Sequence, residues 1–125
     1  MLVEDIGSYL ESCGLGVQGV DIFLDEMPPD PDDCMAVFGY AGSPPDLHWS
    51  GEYPGLQVRV RNRDPALGRA KAEQVRNALH GLHERVIGTT RYLLVRANQS
   101  PEPLGKDGNG RAHFVINFSV IKEIG

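Results

Sequence analysis

Two runs of charge hold the densest chemistry in this chain. Arg59, Arg61 and Arg63 recur at every second position and continue to Arg69 and Lys71, while Asp25, Glu26, Asp30, Asp32 and Asp33 fall within nine residues of one another. A guanidinium pairs with a carboxylate through two parallel N–H bonds, so one run is a chemical complement of the other. The arginine row has no interleaved aromatics on which bases could stack, and an isoelectric point near 5.3 opposes a dedicated nucleic-acid binder. The row is therefore either the wet face of a strand or a protein interface. Between subunits, Asp25–Asp33 of one copy would face the arginines of the next.

Other groups give weaker leads. Clustered carboxylates suggest calcium, but the run DEMPPDPDD lacks the alternating ligands and the glycine turn of a calcium loop, and reads as a solvated acidic loop or a contact for basic groups. Gly14, Gly16 and Gly19 have the spacing of a dinucleotide fingerprint. A helix precedes them and a strand follows, the reverse of the order that puts a phosphate on a helix N-terminus. HGLHE at 80–84 is not a zinc motif, and His80 and His83 are expected at a helix C-terminus. The serines lack a nucleophile elbow, and Cys13 and Cys34 read as small core residues with neither CxxC nor zinc spacing. Asp46 and His48 form a possible pair beside Trp49, the only tryptophan, in the proline- and glycine-rich stretch 41–55. A tryptophan there either covers the core locally or anchors a partner. No nucleophile–base–orienter set emerges, so the reading is non-enzymatic, without cofactor or metal.

The elements that must position these groups follow from periodicity. Leu56, Val58 and Val60 alternate with Gln57, Arg59 and Arg61, which predicts a strand with one buried face. Asp64 offers an N-cap oxygen and Pro65 suits the first helical position. An apolar stripe through Leu67, Ala70, Val75, Ala78, Leu79, Leu82 and Val86 predicts a long helix ended by Gly88. A short helix is expected over 2–13, and strands over 20–25, 34–40, 91–98 and 112–122, with Asp107-Gly108-Asn109-Gly110 as a reversal. The sum is α-β-β-β-α-β-β: a single α+β domain over 1–125, of two layers, with a mostly antiparallel or mixed five-stranded sheet and two packed helices.

Composition bounds the rest. With 41% hydrophobic and 23% charged residues the chain is globular, and no apolar run reaches the ~20 residues of a membrane span. The acidic N-terminus does not read as a secretory signal, and a reduced cytosolic setting is the expectation. The net charge of −5 conceals an asymmetry. Residues 1–58 hold eleven acids and no Lys or Arg; residues 59–125 hold all twelve Lys and Arg and six acids. If that split persists in space, identical dipoles would associate head to tail, into rings or filaments.

The run YPGLQVRVRNRDPALGRAKAEQV, the strand Tyr92–Arg96 and the run SPEPLGKDGNGRAHFVINFSV resemble the bacteriophage minor capsid protein family of tail terminator proteins. The matching positions are Tyr53, Pro54, Gln57, Arg59 and Arg61, then Pro103, Leu104, Asp107, Gly110, Arg111, Phe114 and Asn117. The resemblance implies an α+β subunit of a ring, commonly hexameric, at the head–tail joint of the virion. Such a ring caps the tail tube, stops its polymerisation, meets the head connector and leaves a channel for DNA in transit. It implies no cofactor, no catalytic residue and no membrane, and a stay in the host cytoplasm before assembly. Two alternatives accompany it: a tail tube or connector subunit of similar fold, and a small cytosolic enzyme or ligand-binding module using the Asp46–His48 loop. The charge runs Asp25, Glu26, Asp30, Asp32, Asp33 and Arg59, Arg61, Arg63 are the candidate subunit interface. His48 and Trp49 are the candidate partner-contact loop.

Overall fold

The computed structural model describes residues 1–44 and 50–123. Helix α1 (Leu2–Ser12) is followed by β1 (Ile22–Leu24), β2 (Cys34–Ser43) and β3 (Gly51–Asn62). Helix α2 (Pro65–Leu79) leads into β4 (Leu82–Ile87), β5 (Thr90–Ala97), β6 (Glu102–Lys106) and β7 (Ala112–Glu123). The strands form one mixed sheet in the order β1-β2-β3-β7-β5-β4, with β6 also paired to β7. Only β1–β2 is parallel among the described strand pairs. The α+β class and the mixed sheet are as expected. The strand number is corrected from five to seven, and the order to α-β-β-β-α-β-β-β-β.

Both added strands have a physical cause. The helical stripe stops at Leu79 because His80 is extended and Gly81 has φ +83, a left-handed turn that favours glycine. Leu82–Ile87 then pairs antiparallel with β5, and Val86, expected on the helix stripe, is 63% exposed on a strand instead. The other addition, β6, lies in a segment that proline and glycine mark as turn-rich. It survives as an edge strand, where Pro103 needs no ladder donor on its free side. The expected reversal at 107–110 is present, with Gly110 N–H donating to Asp107 O (3.0 Å). The first strand shrinks to Ile22–Leu24, and the stretch 41–55 narrows because β2 runs to Ser43 and β3 starts at Gly51.

Both helices pack on one face of the sheet. Ile6 and Leu10 of α1, and Ala72, Val75 and Leu79 of α2, share a core with Val37, Val58, Phe118 and Val120. Helix α1 touches β1 and β2 at one edge of the sheet and β4 at the other, so the sheet curls around it. Asp64 caps α2 by accepting from Ala66 N–H (2.9 Å), as the sequence indicated. A buried polar bond crosses this core: Tyr92 donates its hydroxyl to Asp5 (2.7 Å), and burial, with that bond, pushes the phenol well above its ordinary range.

Candidate subunit interface

The register fixes what the opposite, helix-free face presents. Residues opposite one another on neighbouring strands point the same way, so Arg61 lies in a row with Cys34 and His113, and Arg59 in a row with Ala36 and Val115. The next row holds Phe38, Gln57 and Asn117, and the one beyond it Tyr40, Gly55, Ser119 and Arg96. Tyr40 lies flat across Gly55: a Cβ there would sit 2.2 Å from the ring, which is why this strand carries a glycine in mid-course.

The acidic segment 25–33 connects two parallel neighbours and crosses this same face as a strap. Arg61 holds it. Although 3% exposed, its guanidinium donates to Pro28 O (2.7 Å), Pro31 O (2.7 Å) and Asp32 O (3.1 Å), and touches Cys34 Sγ (3.3 Å). Three carbonyls thus replace the water that a buried cation would lose. Burial pushes the Cys34 thiol up. Arg111, also buried, donates to Pro29 O (2.6 Å) and pairs with Asp32 (3.4 Å) and Asp107 (2.9 Å). Asp107 in turn accepts from His113 Nε2 (2.9 Å). That bond, the Arg111 and Asn109 backbone N–H groups and the Arg111 side chain hold its carboxyl far below the usual carboxylate range. At the surface, Arg63 pairs with Asp33 (3.1 Å) and Asp32 (3.8 Å), and its hydrogen bonds pull the Asp33 carboxyl down.

The two charge runs therefore do meet, and they meet within one chain. Arg61 and Arg63 are engaged with the strap of their own subunit, as are Asp32 and Asp33. Asp25, Glu26 and Asp30 are exposed and have no ion pair among the described residues. Arg59 has no ion pair either, and its Nε is buried without a hydrogen-bond partner. Sequence reasoning missed Arg111 and Arg96 as parts of this face. For Arg111 a signal existed, an arginine immediately after the DGNG reversal; Arg96 is one cation in an ordinary strand and carried none.

His48 and Trp49 lie outside the described residues, as does Asp46. His80 lies at a helix C-terminus as expected, as the C-cap of α2, and its Nδ1 accepts from Ala97 N–H (2.9 Å), tying the turn to β5; His83, expected there too, lies in β4. Cys13, expected in the core, is exposed, whereas Cys34 is buried. Among the described residues no three His, Cys, Asp or Glu side chains converge as a metal site, and no helix is long and apolar enough to cross a membrane.

With this geometry in hand, comparison with known proteins gives two positive findings. The family described as bacteriophage tail terminator protein matches residues 9–124. A chain from a solved structure titled virion of native gene transfer agent particle has a similar fold, with a TM-score of 0.71 at 17% identity. The likeness covers 98% of this chain and 95% of that one, and at this identity it speaks for the fold alone. No curated protein matches the sequence.

Proposed function

The chain belongs to the bacteriophage tail terminator protein family, a family of structural tail proteins, and from that premise we propose that it closes the end of the phage tail tube. Copies of the chain assemble as a ring, a hexamer, on the last layer of tube subunits. The ring stops further polymerisation and offers its other side to the head connector proteins, with a channel through which DNA passes. The protein works as a virion component at the head–tail junction after a period in the host cytoplasm. Its action is mechanical, without cofactor or catalysis.

The observation that carries this reading is the family match over 9–124, nearly the whole chain. The charge runs support a head-to-tail contact between copies. Asp25, Glu26 and Asp30 on one side and Arg59 on the other are available to act between subunits, while Arg61, Arg63, Asp32 and Asp33 shape the surfaces from within. The stretch 41–55, with His48 and Trp49, is the candidate contact for the tail tube or connector in this proposal.

Tail tubes polymerised with and without the purified chain test the proposal. The expected result is tubes of arrested length carrying one ring at one end. Tubes that keep lengthening, or a chain that polymerises indefinitely by itself, would contradict it, the latter pointing to a tube subunit.

A further inference from the structure

The strap divides the helix-free face into two halves. Over the half nearest Arg61 the face is closed: Cys34, Ala36 and Val115 are buried although no helix covers them. The other half is open. Phe38, Tyr40, Gln57 and Asn117 line a shallow hollow, with Arg96 and Ser119 on the next row. Gln57 donates to Asn117 (3.0 Å), which leaves an amide donor and an amide acceptor for something else. Tyr40 is 45% exposed and Arg96 is exposed without an ion pair among the described residues.

We infer that this open half is the seat for the strap of the next copy, whose exposed carboxylates Asp25, Glu26 and Asp30 meet Arg96. The inference rests on the ring reading above and says which surfaces make its seam. Three observations carry it. Arg96 of the seat is exposed without an ion pair among the described residues, and so are the strap's three carboxylates, so the charges are complementary. The same face already binds this same segment in its own subunit, through arginine donors on strap carbonyls, so the segment's shape and polarity suit the surface. Seat and strap are also separate patches of the helix-free face, so a contact that joins the strap of one copy to the seat of the next without the reciprocal pair is heterologous and closes into a ring, whereas a reciprocal pair would stop at a dimer.

A nucleic acid fits the seat less well. A duplex carries a charge about every 1.7 Å, and the seat offers one exposed arginine, Arg96, bordered by Glu102 and the strap's own acids. Phosphate would meet repulsion along that border.

Sedimentation velocity on the full chain at low salt, over a concentration series, provides the test. Arg96→Glu and Glu26→Arg change exposed side chains, and thermal melting checks that both variants stay folded. Each is expected to raise the concentration for half-assembly about tenfold or more, since like charges then face one another. The double variant, carrying both changes in one chain, is expected to recover most of that loss, because every seam regains an opposite pair. If the wild-type ring forms and both single variants assemble equally well, the inference is overturned while the ring reading stands. If the wild-type chain stays monomeric at the highest concentration reached, the inference falls, while the ring reading stands or falls with the tail-tube experiment. Duplex DNA binding that Arg96→Glu abolishes without changing assembly would overturn the inference in favour of a nucleic-acid seat.

Discussion

The two faces of the sheet are held by different physics. The face under α1 and α2 is apolar, with Leu56, Val58, Ile116 and Phe118 all fully buried, and its stability comes from area removed from water. The helix-free face is polar, and a proline-rich strap is fixed to it by donors from Arg61 and Arg111. An apolar contact tolerates small shifts of its partners; three carbonyls on one planar guanidinium do not. One face therefore supplies stability. The other supplies a defined surface, with free carboxylates held at set positions along the strap.

Substitutions on the two faces should fail in different ways. Phe118→Ala, under the helices, should cost the most, about 3–5 kcal/mol, from lost transfer energy and the cavity left behind. Urea unfolding would read it as a loss of the whole fold in one transition. Arg61→Ala should cost about 3 kcal/mol, because the strap carbonyls lose their donor. Its signature is local: limited proteolysis should open the chain between Pro28 and Asp33 before global unfolding. Arg61→Lys should rescue only part of this, since a point ammonium cannot reproduce the fork. If both arginine variants melted in a single step with an uncut strap, the division between faces would be wrong.

A smaller effect probes the polar exception on the apolar side. Tyr92→Phe leaves Asp5 buried without the hydroxyl donor and should cost about 1–2 kcal/mol. Smallest is the response to acid. Asp107 and Asp33 are held below the ordinary carboxylate value of 3.8, so their contribution is present above about pH 4 and fades as pH falls below it. Hydrogen exchange at the strap and the 107–111 turn should quicken in that window before the core responds. Equal quickening on both faces would erase the distinction.

Much of the helix-covered face was legible in the sequence. The alternation in Leu56–Val60 and Phe114–Val120 marked the buried side of the two central strands, and Asp64-Pro65 marked the start of α2. What misled was local. The apolar stripe continued through Leu82 and Val86 as if helical, and Gly81, the actual stop, carried no weight against it. Strand β6 was hidden because its prolines and glycine read as turn, and only the neighbouring β7 makes it a strand. The helix-free face was half legible. Periodicity put Arg59 and Arg61 on one side, and charge arithmetic named the acidic run as a complement. No pattern of residue types could tell that the complement crosses the same sheet in the same chain, because that depends on the parallel pairing of β1 with β2. Sequence reasoning expected carboxylates of a neighbouring copy against the arginine row; within the chain Arg63 pairs with Asp32 and Asp33, whereas Arg61 takes strap carbonyls instead of carboxylates.

The most direct test is an electron cryo-microscopy map of the chain assembled on the end of a tail tube. The expected map has the open half of the helix-free face, with Arg96 and Tyr40, against Asp25–Asp30 of the adjacent copy, with both helices away from the seam. A seam formed by α1 or α2, with the helix-free face turned to solvent or to the channel, would contradict it.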